Sequence, residues 1–355
     1  MARLYLKMIC FLFICWTGIG ITYGQTSSKD FAKLDQLLEQ KFSKQFGYSV
    51  LVVHQGKPVF RKYGGYAQKR AKQLVNSQTL FHIASITKSV TAVGIFKLIE
   101  QGKVKLNDPI TKFFARVPKD KQSITIAHLL SHRSGFRQNY VCDRVGNAAK
   151  AQKKLLKDKL KFSPGSGFAY SNQNYEMLAL IIERVCKQTY ERYIRETILK
   201  PLDMTQTRFW EEANKLSETA SINTTLSART RRKNWGYTGS GGLYATAVDL
   251  WKFWQGVMNY QVISKKSVAT MLGNYYKTSS GLEIGYGWFT TPTTQWGSKE
   301  VWTRGNESWG HNAAVRGFTN KNTVIIVLSN SGEIGNKQQT GNRLVSKAIA
   351  NWLWK

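Results

Sequence analysis

The sequence predicts an α/β fold of the α+β type: a central antiparallel sheet flanked by helices, with a helical lobe beside it. Strand patterns lie at both ends of the chain, around residues 48–63 and 286–328, so one sheet must be assembled from distant segments. Helical periodicity dominates the stretch between them, about residues 89–235, which is long enough to form a lobe of its own. An apolar helix from Ser85 to Glu100 opens that stretch, and it begins with the chain's sole Ser-x-x-Lys, Ser85-Ile86-Thr87-Lys88.

Taken in order, Asp30 to Gln45 places Phe31, Leu34, Leu37, Leu38 and Phe42 at helical spacing. Tyr48–His54 and Pro58–Tyr63, joined by Gln55-Gly56-Lys57, read as a β-hairpin. After the Ser85 helix, an apolar helix is expected from about Tyr175 to Cys186, preceded by the turn Phe162-Ser163-Pro164-Gly165. Gly239–Gly242 reads as a tight turn before a helix over Thr246–Trp254; with no following Lys-Ser or Lys-Thr it is not a phosphate loop. Strands follow at Tyr286–Thr290, Glu300–Arg304, Ala313–Thr319 and Thr323–Leu328, and Gly341–Trp354 closes the chain as a helix. The candidate site then falls in the cleft between sheet and helical lobe.

Chemistry points to the same cleft. A Ser in the first helical turn and a Lys three residues on share one face, so the amine lies within reach of the hydroxyl proton at the positive end of the helix dipole. That is an activated nucleophile made by local geometry. Tyr170-Ser171-Asn172 is the sole Tyr-x-Asn, and Trp309-Gly310-His311-Asn312-Ala313 leads into an apolar strand. A Ser-x-x-Lys, then a Tyr or Ser followed by Asn, then a basic residue on a strand is the layout of penicillin-interacting serine enzymes.

With these motifs in place, the chain resembles the class C β-lactamase-like serine hydrolases, which include D-alanyl-D-alanine carboxypeptidases, class C β-lactamases and related esterases. Phe81-His82-Ile83-Ala84-Ser85, Leu106-Asn107-Asp108-Pro109, Ile124 to His132 with Ser134-Gly135, Lys200-Pro201-Leu202-Asp203-Met204, and Gly239 to Leu243 all resemble family segments. The resemblance runs from about residue 30 to 353. It implies Ser85 as nucleophile, Lys88 either as acceptor of its proton or as the cation that keeps Tyr170 ionised, and Tyr170 as a second base that needs nearby cations, because a free phenol titrates near pH 10. It also implies that Asn172 holds the Lys88 amine and a substrate amide. His311 and Asn312 would bind substrate, with His311 also supporting Tyr170 electrostatically. The backbone N–H groups of Ser85 and Ala314 would form the oxyanion hole. Ala313 departs from the family's Gly, and His311 stands where most of its β-lactamases carry Lys. Both departures disfavour β-lactams, and the Ala313 methyl also disfavours a standard cell-wall peptide; the expected substrate is an ester or a D-amino-acid peptide, a β-lactam less so. A binding or sensor protein that keeps the fold and acylates only once is the alternative.

Composition bounds the setting. Arg3 and Lys7 precede an apolar run, Met8–Ile21, followed by small residues, which reads as a secretory signal over residues 1–24 and places the mature chain, 25–355, in a periplasmic or extracellular space. In such a space nucleic acid is not an expected partner, so the net charge of +31 reads either as a solvated basic surface or as attraction to an anionic envelope polymer or lipid surface. The expected substrate is a small peptide or ester, peptidoglycan-derived peptides included. Cys142 and Cys186 remain after the signal; they either pair, which would stabilise by ~4 kcal/mol in the chain-entropy model, or stay free. No cofactor is implied. His128 and His132, four apart, lack a third ligand, so no metal site is expected.

Overall fold

The run Tyr48–His54 alternates little and is apolar almost throughout, the pattern of a strand covered on both faces. In the computed structural model, which describes residues 31–42, 46–213, 219–220, 232–307, 310–330 and 341–354, it sits inside an eight-stranded sheet. The predicted signal segment and Trp309 lie outside the described residues.

The strands are β1 (Tyr48–His54), β2 (Lys57–Gly64), β3 (Tyr66–Gln68), β4 (Gln73–Leu74), β5 (Phe81–His82), β6 (Arg208–Phe209), β7 (Leu243–Ala245), β8 (Tyr276–Lys277), β9 (Glu283–Ile284), β10 (Phe289–Thr291), β11 (Glu300–Glu307), β12 (His311–Phe318) and β13 (Thr323–Ser329). The helices are α1 (Phe31–Lys41), α2 (Thr87–Glu100), α3 (Ile126–Leu130), α4 (Ala148–Lys157), α5 (Asn172–Cys186), α6 (Tyr190–Ile194), α7 (Trp210–Ala213), α8 (Ala247–Met258), α9 (Lys265–Met271) and α10 (Gly341–Trp354). The main sheet runs β2-β1-β13-β12-β11-β10-β9-β8, and its paired strands are antiparallel. The short strands β5, β7 and β6 make a second sheet beside it.

Alternation along each strand sorts the core into two layers. Val301, Ala313, Val315, Val324, Ile326 and Leu328 face α2 and α8 in one layer. Val50, Val52, Phe318, Ile325 and Val327 face Leu34 and Leu38 of α1 and Val345 and Ile349 of α10 in the other. Each fully buried Val, Leu, Ile or Phe among them contributes roughly 1.5–3 kcal/mol. Helix α2 is buried along nearly its whole length, which is why its sequence is apolar all round rather than striped. Of the segments between α2 and α8, α5 and α6 pack on that helix, and α3 and α4 pack on α5. Thr125, Asn147, Ser171 and Thr189 each cap one of these helices with a side-chain oxygen.

Candidate active site

Ser85 reaches its position through strained backbone. Ile83 is tied to β7 by its N–H to the Leu243 carbonyl, and Ala84 takes a left-handed φ of +44°. A non-glycine residue there costs of order 1–3 kcal/mol and persists only where its surroundings hold it. The turn Ala84–Ile86 then runs into α2, leaving Ser85 half-exposed between buried neighbours.

Lys88, one turn on, is buried at 3 % exposure. Its Nζ lies 2.9 Å from Ser85 Oγ, 2.8 Å from Asn172 Oδ1 and 2.6 Å from the Ser240 carbonyl oxygen. Asn172 Oδ1 and the carbonyl can only accept. The Ser85 hydroxyl can accept from an ammonium or donate to a neutral amine. The same three contacts therefore fit Lys88 before and after it takes the serine proton. Ser240 belongs to the turn expected before α8, and its carbonyl is a third anchor that the motifs did not disclose.

Tyr170 precedes α5, whose N-cap is Ser171 rather than Asn172. This leaves the Asn172 amide free to turn toward Lys88. The Tyr170 ring stacks on His132, with centroids 4.4 Å apart at 29°, and Lys88 Nζ lies 5.1 Å from the Tyr170 ring centre. His132 Nδ1 accepts the Ser171 N–H at 3.2 Å and faces the Asn174 amide at 3.2 Å. Burial, helped by the Lys88 charge, lowers the His132 imidazole to about 3, so a neutral ring backs the tyrosine. Arg304, from β11, attracts Tyr170 from across the cleft.

The third wall is the main correction. Ser85, Lys88, His132 and Tyr170 line a narrow cavity of roughly 10 Å³ with Trp288, Phe289, Thr303 and Arg304. Strand β10 pairs with β11 only over Glu300–Trp302, so from Thr303 onward β11 presents an open edge toward the serine turn. Gly305 makes the approach possible: a Cβ there would meet the Ile83 carbonyl oxygen at 2.0 Å.

His311, Asn312 and Ala314 do not line this cavity. They lie on β12, an interior strand one step farther from Ser85. His311 is 1 % exposed and packs against His82, with ring centroids 5.6 Å apart; burial lowers it to about 3. A neutral ring cannot supply the charge expected of it. Asn312 is buried, and its carbonyl accepts from Asn342 Nδ2 at 2.8 Å. Ala314 pairs with Arg304 on one side and Val327 on the other, so the ladder occupies its backbone and leaves no N–H for an oxyanion. Ala313 faces the α2 core and crowds no substrate.

The sequence reading thus missed Thr303, Arg304, Gly305, His132 and the Ser240 carbonyl. A signal for the first three was present: Thr303-Arg304-Gly305 puts a basic residue beside a glycine on an expected strand. The Ala at the end of the His311 motif marked that motif as the wrong strand. Of the other histidines, His128 serves the α3 capping box. Cys142 and Cys186 are free thiols. Among the described residues no cluster of His, Cys, Asp and Glu could hold a metal, and no helix is long and apolar enough to cross a membrane.

Known proteins share this architecture. A family model described as Beta-lactamase matches residues 34–349. Protein flp of Staphylococcus aureus (strain N315) is 34% identical over 194 residues, which cover 52% of this chain and 39% of that protein. The chain thus spans about two fifths of the first curated relatives it matches. PbpX of Bacillus subtilis (strain 168), named as a penicillin-binding protein, is 28% identical over 321 residues, covering 85% of this chain and 76% of that one. The octameric penicillin-binding protein homologue from Pyrococcus abyssi superposes with a TM-score of 0.79 at 28% identity, over 92% of this chain and 78% of that one. The penicillin binding protein from Bacillus halodurans shares the fold, with a TM-score of 0.76 at 22% identity over 90% and 98% of the two chains. With the family model spanning nearly the whole chain and the Ser85–Lys88–Tyr170 cleft in place, this chain belongs to the β-lactamase and penicillin-binding-protein family.

Proposed function

We propose that the chain is a serine hydrolase that works through an acyl-enzyme on Ser85. The observation that carries this reading is the Lys88 amine, 2.9 Å from Ser85 Oγ and fixed by two groups that can only accept. Ser85 Oγ attacks the carbonyl carbon as its proton passes to Lys88. Tyr170, near Lys88 and Arg304, protonates the leaving group and later takes a proton from the deacylating water, while Lys88 returns its proton to Ser85 Oγ as the acyl bond breaks. The Ser85 N–H and a backbone N–H from the open part of β11 hold the oxyanion, replacing the role expected of Ala314.

The substrate is proposed to be a D-amino-acid peptide or an ester, including peptidoglycan-derived peptides, with its chain lying along the β11 edge. The reasons drawn from His311 and Ala313 for disfavouring β-lactams fall away, since neither residue reaches the cavity. A different reason takes their place. The groove beside Ser85 is narrow and is walled by Tyr170, Trp288 and Phe289. A slim acyl group fits such a slot better than a fused ring. The apolar leader Met8–Ile21 supports export, and the basic surface supports work near anionic envelope polymers.

A short-chain nitrophenyl ester, a D-alanyl-D-alanine peptide and nitrocefin, each tested with wild type and Ser85→Ala, test the reading. Turnover of ester or peptide by wild type and none above background by Ser85→Ala is expected. Turnover retained in Ser85→Ala would reject the nucleophile, and one stoichiometric burst without turnover would mark a sensor instead.

A further inference from the structure

A second cleft, roughly 430 Å³ in volume, opens on the α10 side of the sheet. Its walls carry three guanidiniums from three elements: Arg304 of β11, Arg316 of β12 and Arg343 of α10, with Trp302 and Ser346 between them. Strand register explains the first two, because Arg304 and Arg316 lie on the same face of adjacent paired strands. Burial, and with it the neighbouring Arg343 charge, disfavours the charge on both. Glu300 is the one carboxylate among the lining residues, and it is engaged by Arg316 Nε at 2.7 Å. Among the described residues neither Arg304 nor Arg343 has a carboxylate partner, and both are exposed.

Three like charges around one cleft repel each other, and the single Glu300 carboxylate, which lies in the field of both Arg316 and Arg343, leaves a net excess of two positive charges. The excess matches a dianion. A guanidinium offers a planar fork of donors that fits phosphate oxygens two at a time, which makes arginine the residue suited to this task. The volume exceeds what a bare phosphate needs, leaving room for the molecule that carries one. Arg304 also lines the Ser85 cavity, so the two clefts meet over the open edge of β11.

The geometry points to a binding site for a doubly charged phosphate group in the Arg304–Arg316–Arg343 cleft. The group is either free phosphate or part of a molecule whose acyl carbonyl reaches Ser85. The substrate-borne form rests on the hydrolase reading; the site itself does not.

Calorimetric titration of the full chain with inorganic phosphate at low salt tests the site without any turnover. Saturable binding is expected in wild type and in Ser85→Ala alike. Arg343→Ala should weaken it about tenfold or more, as loss of a charge-assisted contact does, and Arg343→Lys should recover part of the loss. Thermal melts confirm that each variant is folded. Absence of saturable binding in the wild type, or equal affinity in folded Arg343→Ala, would overturn the proposal. Two nitrophenyl esters, one with a phosphate monoester on its acyl chain and one neutral, separate the sources. A substrate-borne group predicts a higher kcat/KM for the charged ester, a preference that falls in Arg343→Ala, and competition by inorganic phosphate against that ester alone. Free phosphate as the ligand predicts that both esters respond to it equally.

Discussion

Strands β11 and β12 are antiparallel neighbours with similar lengths and one glycine each, yet they do opposite work. Strand β12 has a partner along both sides, so its backbone is consumed by the ladder and its histidine is sealed against His82. Strand β11 loses its outer partner after Trp302, and the freed edge runs beside the turn that carries Ser85. The cation that reaches Tyr170 is therefore Arg304 rather than His311. A side chain's chemistry counts at a site only where the strand carrying it has an unpaired edge or an open face.

The largest loss short of removing the nucleophile is expected from Tyr170→Phe. The variant keeps the His132 stack and should fold, but it should lose ~10²–10⁴-fold in ester turnover. Near wild-type rates would make the ring structural and break the helix side of the cleft. Next comes Gly305→Ala. Its new methyl would point at the Ile83 carbonyl, so β11 must shift away from the serine turn. Overpacking of this kind costs ~1–3 kcal/mol, about one to two decades in kcat/KM if it is felt in the transition state. The matching change on the neighbouring strand, Ala313→Gly, should alter turnover little. Equal effects of the two substitutions on ester kinetics would erase the distinction between the strands.

Much of this was legible in the sequence. The hairpin, the α2 and α5 helices, the closing helix and the Ser85–Lys88 pair follow from short-range spacing, because a helix places i and i+3 together whatever surrounds it. Tyr170 and Asn172, far off in the chain, were joined to that pair by the family resemblance. The third wall was not legible. Whether a strand is interior or has an open edge depends on where β10 ends, a contact between segments that no local pattern encodes. Thr303-Arg304-Gly305 and His311-Asn312-Ala313 each set a basic residue at a strand, and only the approach of Gly305 to Ile83 decides between them.

The burial that silences His311 also sets a pH dependence. His132 and His311 are lowered to about 3 in the fold from 6.5 in the open chain. Below pH 6.5 the unfolded state binds more protons, so stability falls as pH drops toward 3. Burial raises the Glu176 carboxyl from 4.5 to about 8. Its contribution has the opposite sign: it is complete below 4.5 and is lost as pH rises to 8. With these two histidines and His82, which burial also pushes well below its ordinary value, opposing one carboxyl, stability should be greatest between about pH 6 and 7, each proton giving a slope of about 1.4 kcal/mol per pH unit. Denaturant melts from pH 5 to 8 should show that peak, and Glu176→Gln should flatten its alkaline side. A stability that rises steadily through pH 8 in the wild type would show these groups to be accessible.

Arg304→Ala and His311→Gln compared side by side on one neutral ester test the assignment of β11 as the third wall most directly. Both variants are assayed at pH 7 and corrected for the folded fraction. The account predicts a loss of about tenfold or more in kcat/KM for Arg304→Ala, from removing a charge that assists Tyr170. For His311→Gln it predicts a change within about threefold, with any larger effect confined to stability, since a neutral buried ring makes no contact with the reacting atoms. The reverse ranking, a large kinetic loss in folded His311→Gln and none in Arg304→Ala, would contradict it and return the site to β12.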